Sequence, residues 1–142
     1  MRALLDVNVL IALLDAGHVS HLAARDWFAA HAALGWSSCA ITQNECLRIM
    51  SHAGYANARP VADVARRLQA ATSRSVHEFW AGTVSILDPA RVDHSRIHGP
   101  KQLTDVYLLA LAVAHGGRLV TFDRAVSASA VHGATAAHLV VL

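Results

Sequence analysis

Four carboxylates stand where a strand is expected to end or a helix to begin, each among apolar neighbours. They are Asp6, Glu45, Asp105 and Asp123. A buried charge costs free energy unless a partner compensates it, so four acids at one place would need a cation. Magnesium or manganese is the expected ion, because hard cations prefer carboxylate and water oxygens. The residue types therefore indicate a metal-dependent site.

The elements that must position these acids alternate between strand and helix. Strands are predicted at residues 3–5, 35–40, 84–87, 119–122 and 138–142. Helices are predicted to begin at residues 9, 20, 42, 60 and 104, with Ser20, Thr42 and Thr104 as caps and Pro60 in a first turn. Repeated βα units predict a central parallel sheet covered by helices on both faces, which is an α/β fold with three α/β/α layers. The length predicts a single domain over residues 1–142.

This architecture is expected to gather the acids. Ligands of such sheets bind beyond the carboxyl ends of the strands. Asp6 and Asp123 each follow an apolar strand, and Asp105 opens a helix whose dipole favours its ionised form. Glu45 comes three residues after the predicted cap Thr42. All four acids are therefore expected at one edge of the sheet.

Each acid taken alone also has a purely structural interpretation. Asp6 could belong to a turn, and Asp105 could be a first-turn acid favoured by the helix dipole. Glu45 could complete a capping box with Thr42. Asp123 could form an exposed ion pair with its neighbour in the sequence. Four such coincidences at one edge are less expected than one shared site.

The ordered set of acidic stretches resembles the PIN domain, and more closely the VapC ribonucleases of bacterial toxin–antitoxin pairs. The matching stretches are residues 4–10, 42–45, 104–112 and 119–123. The resemblance implies a three-layer α/β/α PIN-like fold and a Mg²⁺- or Mn²⁺-dependent endoribonuclease that is usually a homodimer. It also implies a VapB-like antitoxin that inserts a segment into the active site. Transfer RNA and a ribosomal RNA loop both stay open as substrates, and residues 51–100 match no family motif.

The resemblance also implies roles for individual residues. Asp6, Asp105 and Asp123 would hold a metal ion that activates water and clamps a phosphate oxygen. Glu45 would either bind a second ion or orient the water. Predicted partners that orient the carboxylates are Asn8, Thr104 and Thr121. Predicted RNA-phosphate contacts, with solvated surface charge as the alternative, are Arg48, Lys101 and Arg124.

Composition sets few limits on these functions. The net charge of +2 neither demonstrates nor excludes a nucleic-acid partner, because a local arginine-lined groove would suffice. Cys39 and Cys46 are interpreted as buried free thiols in a reducing cytoplasm. No apolar run approaches the roughly 20 residues that a bilayer requires, so we expect a cytoplasmic protein.

Two other functions stay open, together with one other metal site. Residues 6–9 echo the nucleophile loop of haloacid-dehalogenase-like phosphatases, although Asn8 stands where an acid–base aspartate is expected. A non-catalytic PIN-like interaction module is the second possibility. His94 and His98 have a helical spacing that could suit zinc, but Pro100 makes a helix there unexpected.

Overall fold

A five-stranded parallel sheet forms the centre of the computed structural model, which describes residues 1–74 and 76–142. The strands are β1 (Ala3–Leu5), β2 (Trp36–Cys39), β3 (His77–Trp80), β4 (Arg118–Thr121) and β5 (Leu139–Val141). Their order across the sheet is β3-β2-β1-β4-β5, and every neighbouring pair is parallel. The predicted parallel sheet is confirmed.

Helices cover both faces of this sheet. They are α1 (Val7–Leu14), α2 (His21–His31), α3 (Ala40–Ser51), α4 (Val61–Thr72) and α5 (Leu103–Ala114). Leu5 and Val120 pack in the core shared with α1 to α4, whereas Leu4 and Leu119 pack in the core shared with α5. Successive strand residues point to opposite faces, so β1 and β4 contribute to both cores. The predicted three-layer α/β/α fold is confirmed.

Helix α5 is apolar on nearly all sides because protein surrounds it. One side faces the sheet, and the other faces two irregular segments, residues 81–99 and 125–138. Val92 and Val131 join these segments through an antiparallel bridge, and both are buried in the same core as α5. Gly116, at a φ of +63°, follows the helix and ends it in the left-handed conformation that glycine adopts readily.

The prediction of a strand at residues 84–87 is wrong. Val84 and Ile86 are apolar because they pack against the core of α5, and no ladder forms there. The strand lies earlier, at His77–Trp80, where Glu78 and Phe79 are exposed. An edge strand with exposed side chains lacks the apolar pattern that marks buried strands, so the sequence pattern missed it.

Two predicted helix caps are also wrong. Helix α3 begins at Ala40 with Cys39 as its N-cap, because β2 runs directly into the helix. Thr42 instead lies in the first turn, where its hydroxyl accepts a hydrogen bond of 3.0 Å from the Cys39 N–H. Helix α5 begins at Leu103, one residue before Thr104. A helix can start at an apolar residue when the preceding strand or turn already sets its direction.

Predictions about α2 and about the two cysteines had different outcomes. Ser20 precedes α2 as predicted, but its side chain makes no capping hydrogen bond. Leu22 of α2 is 61% exposed, whereas Ala24 is buried. Cys39 and Cys46 are buried free thiols as predicted. Among the described residues, no helix is long and apolar enough to span a bilayer.

Candidate active site

Asp6 occupies the carboxyl end of β1 at the centre of the sheet. It is only 5% exposed. Its backbone N–H donates to the Val120 carbonyl at 2.9 Å, and its Oδ1 accepts the N–H of Val7 at 2.7 Å as the cap of α1. These contacts hold the carboxylate between the ends of β1 and β4, which are paired neighbours. Asp6 therefore lies at the edge where the sequence predicts the site.

Two of the three predicted orienting residues contact this carboxylate or its partner. Thr121, the last residue of β4, donates to Asp6 Oδ2 at 2.6 Å. Asn8 donates through Nδ2 to the Thr121 hydroxyl at 3.1 Å. Thr104 makes no hydrogen bond to an acid within residues 1–74 and 76–142, although it lines the same cleft as Asp6. The network therefore joins β1, α1 and β4 without Thr104.

Asp105 and Asp123 lie within electrostatic reach of Asp6. Asp105 is in the first turn of α5, and Asp123 follows β4 by two residues. Burial first, and then the negative charges of Asp6 and Asp123, raise the pKa of Asp105 to about 6. Burial also raises the pKa of Asp6, with a smaller contribution from Asp123, against the opposing hydrogen bonds from Thr121 and Val7. Three acids thus form one anionic cluster.

The acids of this cluster do not converge on a single ion position. Among the described residues, no three acidic, histidine or cysteine side chains are placed close enough together to hold one ion. Asp123 Oδ1 accepts the Ala125 N–H at 2.7 Å, and Asp6 is bonded to Thr121. The donor set nevertheless fits a hard divalent cation, because all donors are carboxylate oxygens whose mutual repulsion a cation would relieve. Mg²⁺ keeps several waters, so it does not need all the acids as direct ligands.

Glu45 faces the same cleft from α3. The cleft has a volume of about 200 Å³ and includes Asp6, Glu45 and Thr104 among its lining residues. Arg48 donates through Nε to Oε1 of Glu45 at 3.0 Å, which holds the pKa of Glu45 below its ordinary value. Thr42 bonds to Cys39 and not to Glu45, so the capping-box interpretation of Glu45 is wrong.

The three predicted RNA-contacting cations are exposed around these acids. Arg48 is paired with Glu45, whereas Lys101 and Arg124 make no ion pair in the part of the chain that the structure describes. Lys101 lies in the short 3-10 helix Pro100–Gln102 that precedes α5. Arg124 is the next residue after Asp123 in the sequence but does not pair with it. Among the described residues, the exposed ion pair that was considered for Asp123 is therefore absent.

The sequence pattern does not predict one of the cations near the site. Arg96 lines a small pocket together with Asp105, Gln102 and Ser127. It reaches this position from residues 81–99, which form no regular strand and carry no recognisable motif. Only the packing of this segment against α5 brings it there. His94 contacts the Ile86 carbonyl at 2.7 Å, in keeping with a structural role.

Comparison with known proteins agrees with this fold. The PIN domain family model matches residues 3–131. Ribonuclease VapC44 of Mycobacterium tuberculosis is 56% identical over 142 residues, which is the whole of both chains. Ribonuclease VapC39 of the same organism is 40% identical over 134 residues, covering 94% of this chain and 96% of the relative.

Two solved structures share the fold at low sequence identity. Mycobacterium tuberculosis VapC20, described as a sarcin-ricin loop cleaving toxin, has a TM-score of 0.58 at 16% identity and covers 82% of this chain and 85% of its own. VapBC2 from Rickettsia felis, bound to a DNA fragment from its promoter, has a TM-score of 0.57 at 15% identity and covers 87% of this chain and 89% of its own.

The parallel sheet and the acids at its carboxyl edge define a domain of the PIN type. The chain belongs to the PIN-domain family and, within it, to the VapC ribonucleases of toxin–antitoxin systems. Its membership makes it an endoribonuclease and does not favour the haloacid-dehalogenase-like phosphatase or the non-catalytic module.

Proposed function

We propose that this protein is a Mg²⁺- or Mn²⁺-dependent endoribonuclease that cleaves a structured RNA and so inhibits translation. The single observation that carries the proposal is the cluster of Asp6, Asp105 and Asp123 at the carboxyl edge of the sheet. In a chain of this family, such an anionic cluster beside an open cleft suits a metal-assisted attack on a phosphodiester. We further propose that residues 1–142 act as one PIN domain.

Asp6, Asp105 and Asp123 would hold the divalent ion. When bound, such an ion lowers the pKa of a coordinated water and neutralises charge on the phosphoryl group. The Val7 N–H and the Thr121 hydroxyl each donate to a different oxygen of Asp6, so its carboxylate is oriented before the ion arrives. Asp105 has no hydrogen-bond partner among the described residues, which leaves both of its oxygens free for a cation.

Glu45 is proposed to bind a second ion or to orient the attacking water. Its place in the cleft with Asp6 supports either role. Arg48, Lys101 and Arg124 are exposed near the acids, where they could contact RNA phosphates on either side of the cut. Arg48 also fixes the Glu45 carboxylate on α3 through its ion pair.

The relatives suggest the substrate and the partners. One solved structure of the same fold is described as a sarcin-ricin loop cleaving toxin, which supports a ribosomal RNA loop, and a transfer RNA is the alternative. Another is a VapBC2 assembly, which supports a VapB-like antitoxin for this chain. We also propose a homodimer acting in the cytoplasm, where these RNAs and the antitoxin are found.

Brief induction of the protein in a bacterial host tests the proposal. We expect growth arrest and a small set of new RNA 5′ ends, with relief on co-expression of the small protein encoded beside it. The matched control is the double variant Asp6→Asn, Asp105→Asn, which keeps the side-chain shapes and removes two negative charges. Purified wild-type protein should cleave the same RNA only with Mg²⁺ or Mn²⁺. Arrest and RNA ends that persist in the double variant would contradict the proposal.

A further inference from the structure

A groove of about 420 Å³ opens at the start of α5, beside the anionic cluster. We call it the 94–103 groove, and its lining residues are His94, Ile97, His98, Gly99, Pro100 and Leu103. Two imidazoles and several apolar side chains form its walls, and no acidic side chain lines it. Leu103 is 43% exposed, so its apolar surface is accessible to a ligand.

The groove and the acidic site share the first turn of α5. Leu103 faces the groove, Thr104 faces the cleft that holds Asp6 and Glu45, and Asp105 faces the pocket beside Arg96. Consecutive residues of an α-helix are rotated by about 100° and rise by about 1.5 Å, so the three side chains point in different directions but lie around one turn of a helix that is about 10–12 Å wide. A nucleotide next to the cleaved phosphate would therefore reach the groove.

The walls of the groove are held in place by specific hydrogen bonds. The backbone N–H of His98 donates to Oε1 of Gln102 at 2.8 Å. Nε2 of His94 donates to the Ile86 carbonyl at 2.7 Å, because a carbonyl can only accept. In a neutral imidazole this leaves Nδ1 of His94 as an acceptor. The ring of His98 makes no hydrogen bond within the described part of the chain, so its nitrogens are free for a ligand.

We propose that the 94–103 groove binds an unpaired nucleobase of the RNA substrate, next to the phosphate that is cleaved. This inference rests on the proposed ribonuclease function. Proteins bind splayed-out bases by stacking them on aromatic, imidazole or apolar surfaces and by hydrogen bonds to their edges, and this groove offers both. A base needs no charged partner in the groove, whereas its phosphate needs cations at the rim.

The rim of the groove has the charge that RNA requires. Lys101 is exposed within the segment and makes no ion pair among residues 1–74 and 76–142. Arg96 lines the pocket beside Asp105 and pairs with Asp93 at 3.2 Å. Cations beside an apolar floor favour a nucleotide, whose phosphate they can neutralise, over an apolar peptide helix.

Cleavage of a random-sequence, single-stranded RNA pool with Mg²⁺ tests the groove. The wild-type protein should show a base preference at one position adjoining the cut. Leu103→Ser and His98→Ala should flatten that preference and reduce kcat/KM by about tenfold, which is the scale of one lost base contact. The Mg²⁺ concentration for half-maximal rate should not change. The control is Leu87→Ser, a 77% exposed leucine on the same segment but outside the groove, which should behave as wild type.

A second measurement separates base binding from a general defect. Wild type and Leu103→Ser should cleave an RNA with an abasic ribose at the preferred position at the same rate. This RNA has no base to contact Leu103, so removal of the Leu103 side chain has no further effect. A base preference that is absent from wild type, or unchanged in both groove variants, would overturn the assignment while the ribonuclease activity stands. An unchanged preference with weaker antitoxin binding would assign the groove to the protein partner. Failure of the proposed function would look different, since wild type would then show no Mg²⁺-dependent cleavage.

Discussion

The Thr121 hydroxyl donates a hydrogen bond of 2.6 Å to Oδ2 of Asp6, across the paired ends of β4 and β1. The Thr121 hydroxyl oxygen in turn accepts hydrogen bonds from Asn8 Nδ2 at 3.1 Å and from the Asp123 N–H at 3.0 Å. A hydroxyl has one proton and two lone pairs, so all of its bonding capacity is used. Its only proton is committed to Asp6, and this bond favours the ionised carboxylate.

Replacement of Thr121 by valine should therefore damage both stability and activity. Thr121→Val keeps the shape but leaves Asp6 Oδ2, Asn8 Nδ2 and the Asp123 N–H without the hydroxyl that they contact. We expect a loss of about 1–3 kcal/mol in the free energy of unfolding, together with a large loss of Mg²⁺-dependent cleavage. Thr121→Ser keeps the hydroxyl and should retain most of both. Urea unfolding and cleavage assays check this, and equal activity in the two variants would contradict it.

The raised pKa of Asp105 predicts a pH dependence in metal-free protein. The pKa of Asp105 is about 6 in the folded state and 3.8 as the ordinary value, so the folded state holds the proton more tightly. The stability from this group is present below about pH 4 and is lost as the pH rises through about 6. Asp105→Asn should therefore match wild type in acid and exceed its melting temperature at pH 7.

Thermal melts with a chelator, at several pH values, measure this difference. Addition of Mg²⁺ at pH 7 should raise the melting temperature of wild type more than that of Asp105→Asn, since a bound cation stabilises the ionised cluster. A difference between the two proteins that does not vary with pH would mean that neither burial nor the charges of Asp6 and Asp123 raise the pKa of Asp105.

The two roles of Glu45, in catalysis and in its ion pair with Arg48, can be separated. Glu45→Gln removes the charge but keeps the length, and an exposed i,i+3 pair contributes only about 0.3–0.5 kcal/mol. We expect a nearly unchanged melting temperature and at least about tenfold slower cleavage, or about 1.4 kcal/mol of transition-state stabilisation. Asp63→Asn breaks the matching i,i+3 pair with Arg66 on α4, and should leave cleavage unchanged. Full activity in Glu45→Gln would reduce Glu45 to a partner of Arg48.

A second buried carboxylate has a structural role away from the acids of the cleft. Asp15 follows α1 and is 8% exposed. It accepts hydrogen bonds from the Tyr55 hydroxyl, from Asn57 Nδ2 at 3.1 Å and from the Gly17 N–H at 2.9 Å. The Tyr55 bond is the main cause that lowers the pKa of Asp15. The network ties the loop after α3 to the end of α1.

Tyr55→Phe should lose about 1–3 kcal/mol of stability at pH 7 and keep its cleavage activity. Because the folded pKa of Asp15 is depressed, its contribution is present above the ordinary value of 3.8 and is lost as the pH falls through the folded value. The gap between Tyr55→Phe and wild type in urea unfolding should therefore narrow in acid. Tyr107→Phe is the control, since that hydroxyl makes no hydrogen bond among the described residues. Equal losses in the two variants would speak against the network.

Local pattern was enough to predict most of the framework. The strands that became β1, β4 and β5 contain short apolar runs, and α5 is a long apolar run that is followed by Gly116. Parallel strands joined by helices bring their carboxyl ends to one edge. This rule alone predicts that Asp6, Asp105 and Asp123 lie near one another.

Other elements depend on neighbours that are distant in the sequence. β3 is an edge strand whose exposed Glu78 and Phe79 show no buried pattern, so only pairing with β2 reveals it. The start of α3 depends on the strand before it, and for this reason Thr42 is not a cap. Glu45 therefore does not complete a capping box with Thr42, and it pairs instead with Arg48, one turn along the same helix.

The amino-acid sequence by itself determined which acids stand at the ends of elements, because that depends on neighbours in the chain. Only the tertiary structure decided how deeply each is buried, which hydroxyl bonds it and how strongly the acids repel one another. The pKa of Asp105 and the hydrogen bond from Thr121 to Asp6 depend on distances between residues far apart in the chain. The 94–103 groove has the same origin, since it forms where an irregular segment meets the first turn of α5.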